Sequence, residues 1–153
     1  MEVYPAVIVH GLGDAVAALS RAEAGECAVT LLSAPGAALY AGCGWWRALV
    51  EAARARHPNV PCMDILDCAD ATGHALAALR IGVARLVLRP EAPGRAAVVA
   101  IAESLGGFVL PEPPPVNAPV NAARVNRGAT RPNPATAQKS RTRENGDKRR
   151  APG

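Results

Sequence analysis

The sequence predicts an α/β protein in which five mostly parallel strands form a sheet covered by helices. Five short runs are apolar almost throughout, as is typical of strands buried on both faces of a parallel sheet. The segments between them carry apolar residues at helical spacing. The strand starts recur at about positions 6, 28, 63, 85 and 107, so three of the four steps are 22 residues long, as repeated βα units require.

The strand-length runs are rich in β-branched and other apolar residues. They are Ala6 to His10, Ala28 to Ser33, Met63 to Asp67, Arg85 to Arg89 and Phe108 to Leu110. Their nearly continuous hydrophobicity favours a three-layer sandwich, because such strands need cover on both sides of the sheet.

Three of the segments between the strands show clear apolar stripes at a period of 3.6 residues. The stripes are Trp46, Leu49, Val50 and Ala53 in the first, Leu76 and Leu79 in the second, and Ala97, Ile101 and Leu105 in the third. Pro58 ends the first helix, because proline disfavours a helical conformation in the residue before it. Gly82 is expected to cap the second helix, which spans Thr72 to Ile81.

The order of elements is compatible with two arrangements of the sheet. A flavodoxin-like three-layer sandwich is the simpler solution for five strands joined by right-handed crossovers. Half of a βα barrel is the alternative, and it would leave sheet edges open and favour dimerisation.

The second βα step is about 13 residues longer than the others, and the extra residues follow the second strand. The segment from Gly36 to Gly44 is rich in alanine, which favours an extra helical turn over a mobile lid. The 20 residues from Cys27 to Trp46 carry no charge. Turn residues around Pro35 interrupt this run, so we expect no membrane span.

The charges divide the chain into two parts. Residues 1–110 carry 8 Lys and Arg against 10 Asp and Glu, whereas residues 111–153 carry 9 against 3. No Leu, Ile or aromatic residue follows position 110, and such a segment cannot bury enough apolar surface to order itself. We therefore expect an α/β domain over residues 1–110 and a disordered, basic tail rich in Pro, Asn and Arg over residues 111–153.

The four cysteines form no C-x-x-C pair and match no common zinc or redox spacing. The sequence thus indicates no metal site, and it identifies no cofactor. Reduced thiols, together with a first segment unlike a secretory signal, favour a cytoplasmic protein.

Candidate site residues follow the predicted strands, because ligands of parallel α/β sheets bind at the carboxyl ends of the strands. The densest group of ionisable side chains is Asp67, Asp70 and His74, after the third strand. Two carboxylates and an imidazole are suited to acid-base chemistry. The alternative is structural, with Asp70 or Thr72 capping a helix.

Further residues at the same edge are candidates for ligand binding. His10 and Ser33 end the first and second strands, and Arg89 ends the fourth, where a guanidinium is suited to an anion. Gly11 and Gly13 resemble the start of a dinucleotide-binding loop, but Val16 replaces the third small residue.

These patterns support three functional hypotheses. The first is noncatalytic binding of an anionic small molecule or a protein partner at the carboxyl edge of the strands. The second is a hydrolytic or acid-base enzyme that uses Asp67, Asp70 and His74. The third is weak, salt-sensitive binding of nucleic acid through the basic tail, since the domain itself is slightly acidic. The oligomeric state does not follow from the sequence.

Overall fold

Five strands and five helices alternate along residues 4–116, the part of the chain that the computed structural model describes. They are β1 (Ala6–Val9), α1 (Leu12–Ala24), β2 (Val29–Ser33), α2 (Ala37–Tyr40), α3 (Cys43–Arg56), β3 (Cys62–Asp67), α4 (Thr72–Arg80), β4 (Arg85–Val87), α5 (Arg95–Ser104) and β5 (Phe108–Leu110). The predicted α/β fold with a five-stranded parallel sheet is confirmed.

The strands lie in the sheet in the order in which they occur in the chain, β1-β2-β3-β4-β5, and all four pairings are parallel. A flavodoxin-like sheet instead has the order 2-1-3-4-5. The observed order is that of the alternative, half of a βα barrel. Hydrophobic patterns did not distinguish the two, because they mark buried strands without recording the direction in which each crossover moves along the sheet.

The helices form one continuous layer on one face of the sheet. Helix α3 packs against α1 and α4, and α4 packs against α5. The main core lies between this layer and the sheet, and includes Leu31, Trp46 and Leu86. The described residues therefore form two layers rather than the expected three. Right-handed crossovers that always move in the same direction leave every helix on the same face.

The second face of the sheet has its own apolar cluster. Its buried members are Ala6, Leu32, Ile65, Val87 and Phe108, and Val116 packs against them. No helical residue of the described chain belongs to this cluster. Val116, after β5, thus packs against side chains that a second helical layer would cover in a sandwich.

Val116 returns to the opposite edge of the sheet, where it forms a parallel bridge with Ala6. Six residues span at most about 20 to 22 Å. In a flat sheet, the distance from β5 to a position beyond β1 would be about 24 Å across the strands alone. The sheet must therefore curve, which brings its two edges closer together.

Glycines follow two of the helices, and the one at Gly82 was expected. Gly82 follows α4 and Gly106 follows α5, with φ angles of +86° and +73° in the left-handed region that favours glycine. The predicted apolar stripe of α5 is present but is not its buried face. Val98 and Ala102 are buried, whereas Ile101 and Leu105 are 42% and 53% exposed.

The predicted boundary at residue 110 falls inside the described region, since Val116 takes part in the bridge with Ala6. Residues 117–153 lie outside the described residues, and so do the predicted disorder and the nucleic-acid binding assigned to them. Within residues 4–116, no helix is long and apolar enough to cross a membrane.

Candidate functional site

The carboxyl ends of the strands bring most of the predicted site residues to one edge of the sheet. Val9 is the register partner of Ser33, and Asp67 is the partner of Val87. His10 follows Val9, and Arg89 lies two residues beyond Val87. The parallel register therefore places these residues at one edge of the sheet, as expected.

Ser33 and Asp67 are joined, but by a structural hydrogen bond. The Ser33 Oγ accepts a hydrogen bond of 2.9 Å from the Asp67 backbone N–H, and it donates one of 3.2 Å to the Ala34 carbonyl. Both residues are buried. The serine hydroxyl thus fastens the end of β2 to the end of β3, and it is not presented to a ligand.

The Asp67 carboxylate supports the turn that follows β3. Its Oδ1 accepts a hydrogen bond of 2.8 Å from the Ala69 N–H. Ala69 has a φ of +50°, a left-handed conformation that is uncommon for residues with a side chain. The Ala69 carbonyl in turn accepts a bond of 2.8 Å from the Arg89 N–H, so the turn also connects β3 to the end of β4.

Asp70 and His74 are exposed, and none of the hydrogen bonds or ion pairs found in residues 4–116 joins either of them to the other or to Asp67. Acid-base catalysis requires its groups within hydrogen-bond reach of the reacting atoms. The expected capping is also absent. The N-cap of α4 is Ala71, and the Thr72 Oγ1 donates to the Pro93 carbonyl at 2.6 Å.

The first turn of α1 holds a carboxylate at the helix start, where a dinucleotide-binding fold would place the phosphates. The Asp14 Oδ2 accepts a hydrogen bond of 2.9 Å from the His10 N–H and lies 3.6 Å from His10 Nδ1. Gly11 is extended, with a φ of −168°, and a Cβ at Gly11 or Gly13 would meet no atom within 4 Å. A dinucleotide-binding loop needs glycines where its backbone is closely approached. Gly11 and Gly13 show no such close approach.

The two arginines after β4 differ in their surroundings. Arg95 is half-buried, and its guanidinium donates to the Leu88 and Val109 carbonyls at 3.0 and 3.2 Å. Arg89 is exposed, and its side chain makes no hydrogen bond with the described residues. Arg89 is therefore the better candidate of the two for contact with an anion.

Within residues 4–116, exposed carboxylates outnumber exposed arginines at this edge. The exposed acidic residues at this edge are Asp14, in the first turn of α1, and Asp70, Glu91 and Glu112, in the loops after β3, β4 and β5. Arg89 is the exposed arginine of the same loops. The charges of the described residues thus favour a cationic partner over an anionic one.

Cys68, which follows β3, is buried in the core. Burial raises the pKa of its thiol to about 12, and the neighbouring Asp67 carboxylate and the Cys43 thiol act in the same direction. A thiol in this state is a poor nucleophile at neutral pH, because the thiolate is the reactive form.

Sequence reasoning missed an exposed apolar patch beside this edge, which we call the α2 patch and define as Leu39, Tyr40 and Trp45. Their exposed fractions are 48%, 70% and 37%. The uncharged run from Cys27 to Trp46 contained the signal, but only the secondary structure shows that these three side chains face solvent whereas Trp46 is fully buried.

Helix α2 carries Leu39 and Tyr40 near the third strand-end loop, and Trp45 lies in the first turn of α3. Helix α2 packs against β3 and α4. A Cβ at Gly36 would lie 3.9 Å from the Ala69 Cβ and 4.0 Å from the Leu39 Cδ1. Leu39 is therefore close to the turn that contains Ala69, and the acidic residue Asp70 follows directly.

A second charged group lies on the helical side of β3, away from the strand ends. The Asp64 carboxylate accepts a hydrogen bond of 2.7 Å from Arg54 and lies 3.6 Å from an Arg85 nitrogen. Burial also raises the pKa of the neighbouring Cys62 thiol, although Arg54 opposes the shift. These contacts attach α3 to β3 and have a structural role.

A cavity of about 220 Å³ opens at the amino-terminal end of β2 and β3, opposite the candidate edge. It is lined by Ala22, Glu23, Glu26, Cys27, Asn59, Val60 and Pro61. His57 Nδ1 lies 2.8 Å from the Glu23 carboxylate. Among residues 4–116, no three His, Cys, Asp or Glu side chains are grouped so that they could hold a metal ion.

The fold and the site define a small parallel α/β protein with sequential strand order. A comparison of the chain with protein-family models gave no match, and a comparison with curated protein sequences gave none either. The function must therefore be argued from the surface of this molecule.

Proposed function

We propose that the chain is a noncatalytic binding domain that holds a protein partner at the carboxyl edge of its strands. The observation that carries the proposal is the α2 patch, in which Leu39, Tyr40 and Trp45 are exposed beside that edge. Tyrosine and tryptophan are enriched at the energetic centres of protein interfaces, since they bury a large area with few rotatable bonds.

The charges around the patch favour one kind of partner. Asp70 and Glu91 are exposed on the neighbouring loops, and the Arg89 N–H bond to Ala69 holds those two loops together. An apolar centre with an acidic rim is complementary to an apolar segment flanked by Lys or Arg. The partner we propose is therefore a peptide segment of that composition on another protein.

The state of the polar side chains at the ends of β2 and β3 supports binding over catalysis. Ser33 and Asp67 are buried and hydrogen-bonded to the backbone, and Cys68 is protonated at neutral pH. These groups hold the loops in place, and a rigid edge is suited to recognition because little ordering entropy is lost on binding.

Selection of short peptides from a random displayed library on the full chain tests the proposal. We expect enriched peptides to combine apolar residues with Lys or Arg. Binding of these peptides should weaken at least about tenfold in Tyr40→Glu, because a carboxylate would face the apolar anchor of the peptide. Ile101→Glu is the matched control, since Ile101 is also exposed but lies on α5. Peptides that bind both variants equally well would contradict the proposal.

An anionic small molecule is a second candidate, and the exposed Arg89 guanidinium is the observation that favours it. Thermal unfolding of the full chain with nucleotides and phosphosugars provides the measurement, because a ligand of the folded state raises the apparent stability. Stabilisation that disappears in Arg89→Ala and persists in Tyr40→Glu would favour this candidate over a protein partner.

A further inference from the structure

Strand β1 has one edge that no strand pairs with along its length among residues 4–116. Its other edge pairs with β2 from Ala6 to Val9. The Pro5 carbonyl accepts the Thr30 N–H at 2.9 Å, so alternate residues from Pro5 onwards direct their backbone groups to β2. The backbone groups of Ala6 and Ile8 therefore point to the open edge, where an added strand would find its partners.

Val116, the last described residue, already lies against this edge. It forms a parallel bridge with Ala6, and it packs against the apolar cluster on the second face of the sheet. Because the bridge is parallel, the chain at Val116 runs in the same direction as β1. It therefore leaves the described part of the structure beside β1 and directed towards the carboxyl edge of the strands.

The residues that follow Val116 alternate in polarity as those of a strand with one buried face do. Positions 116, 118 and 120 are Val, Ala and Val, whereas positions 117, 119 and 121 are Asn, Pro and Asn. Side chains alternate between the two faces of a strand, so Ala118 and Val120 would share the face of Val116. In register with the bridge, Ala118 would be the partner of Ile8, which packs partly buried against the same apolar cluster.

Pro119 limits the strength of such a strand. In this register its nitrogen would face the Ile8 carbonyl, and proline has no N–H to donate. Within sheets proline is found on edge strands, so the position is compatible with a sixth strand at the edge. The pairing would lack one hydrogen bond of the ladder, which suits a segment that a partner can displace.

Charge complementarity favours the same course of the chain. Residues 117–143 contain six Arg and Lys and no Asp or Glu, beginning with Arg124. At the acidic carboxyl edge, the exposed Asp14 carboxylate accepts the His10 N–H and so lies directly at the end of β1. The eight steps of chain from Val116 to Arg124 span at most about 26 to 29 Å, and β1 accounts for about 10 Å of this reach. Arg124 can therefore meet Asp14 without leaving the edge of the sheet.

We propose that residues 117–121 of the same chain add to the open edge of β1 as a sixth parallel strand and bring Arg124 to the acidic carboxyl edge. The occupant is the chain's own segment because Val116 is already paired at the start of this edge, and the residues after it are covalently attached there. A segment tethered in this way has a high effective concentration, so it outcompetes a free strand of equal affinity.

A consequence for partner binding rests on the proposed function. The segment from Val116 to Arg127 is rich in Val and Ala and carries two arginines, which is the composition proposed for the partner peptide. Arg124 and Arg127 would compete with the basic residues of that peptide for the carboxylates of the same edge. The residues after Val116 thus act as an internal competitor and lower the affinity of the domain for its partner.

Amide hydrogen exchange of the full chain, measured residue by residue by NMR, tests the sixth strand. The Ile8 N–H should exchange at least about a hundredfold more slowly than an unstructured amide, because the Asn117 carbonyl would accept it. The Val7 N–H faces β2 and is the internal reference for a folded sheet. An unprotected Ile8 beside a protected Val7 would overturn the proposal. Protection of Ile8 that increases with protein concentration would also overturn it, because the occupant would then be a second copy.

Two substitutions that add the same charge test the register. Ala118→Asp places a carboxylate on the apolar face beside Ile8 and should abolish the protection of the Ile8 N–H. Asn117→Asp is the matched control, because its side chain would point to the opposite face. Its effect on the exchange rate of Ile8 should be no more than about threefold. Equal exchange of Ile8 in the two variants would contradict the register, provided that Val7 stays protected in both.

Binding of a library-selected peptide tests the competition separately. The double variant Arg124→Glu with Arg127→Glu should bind the peptide about fivefold more tightly than the unmodified chain, because the internal competitor loses two exposed ion pairs. Arg149→Glu with Arg150→Glu changes the net charge equally and should leave the affinity unchanged. Equal affinities of the two double variants would overturn the competition. If no peptide is selected, the proposed function fails alone, because the protection of Ile8 is measured without a peptide.

Discussion

Replacing Ser33 by alanine separates a structural serine from a ligand-binding one. The substitution removes the Oγ that accepts the Asp67 N–H at 2.9 Å. Ser33 is 0% exposed and Asp67 is 5% exposed, so water has little access to the freed N–H. The Ala34 carbonyl keeps the Ala37 N–H as a donor at 3.0 Å, so it remains bonded.

The expected cost follows from this one orphaned donor. A buried polar group left without a partner costs about 1 to 3 kcal/mol, so we expect Ser33→Ala to lower the free energy of unfolding by about 2 kcal/mol. For a domain of this size, the midpoint of thermal unfolding should fall by roughly 10 °C.

Urea unfolding followed by tryptophan fluorescence provides the measurement, with the fully buried Trp46 as a reporter. Ser104→Ala is the matched control, because the Ser104 Oγ also bonds a carbonyl, that of Ile101 at 2.7 Å, but is exposed. Its free energy of unfolding should change by less than about 0.5 kcal/mol. The structural reasoning would be refuted if Ser33→Ala changed the stability as little as Ser104→Ala does.

Three further substitutions or reactions have expected outcomes. Gly107→Ala should destabilise the fold by more than about 3 kcal/mol or prevent folding, because its Cβ would overlap the Ala84 carbonyl; urea unfolding measures the loss. Cys68 should resist alkylation by iodoacetamide at pH 8 until the chain is unfolded, as measured by mass spectrometry. Because its pKa in the folded chain is raised from 9.0 to about 12, the stability that Cys68 contributes should decrease as pH rises through that interval. Asp64→Ala should cost about 2 kcal/mol, since it leaves the half-exposed Arg54 without its carboxylate partner.

Controls for these experiments come from the same chain. Asp70 is exposed and makes no ion pair with the described residues, so Asp70→Ala should leave the urea midpoint nearly unchanged. Cys43 is only half-buried and should be alkylated before Cys68. Alkylation of Cys68 in the folded chain at the rate of Cys43 would contradict its assignment to the core. A fully stable Gly107→Ala would contradict the close approach of β5 to the residues before β4.

The strands were largely predictable because each is a short apolar run between breaks. Observed and predicted bounds agree for β5, and β1 and β2 each differ by one residue at one end. The prediction extended β4 to Arg89, whereas the strand ends at Val87. Arg89 was included because Leu88 continues the apolar run, but its N–H turns to the Ala69 carbonyl and leaves the ladder.

The orientation of α5 was not predictable from spacing. Ala97, Ile101 and Leu105 form one apolar stripe, and Val98 and Ala102 belong to another. Periodicity identifies an apolar face, but in a helix that is apolar on two sides it does not identify which of them meets the sheet. The face with the larger residues, Ile101 and Leu105, is the exposed one.

The order of the predicted strands located the candidate site residues at one edge of the sheet, but it did not predict where their side chains point. The parallel sheet brings Ser33 and Asp67 to one edge, as expected. Whether a carboxylate meets solvent or a nearby N–H depends on the turn that follows, and the left-handed conformation of Ala69 is not marked by a glycine. The exposed α2 patch was not recognised because exposure of an apolar residue depends on which neighbours pack over it.

The bridge between Ala6 and Val116 has a consequence for chain connectivity. It places the beginning and the end of the described fold on neighbouring positions, about 5 Å apart across the strands. A short linker between residues 116 and 4 would close the chain, and new termini in the exposed turn at Gly82 would give a circular permutant with the same sheet. The same adjacency suits insertion of the whole unit into a surface loop of another protein.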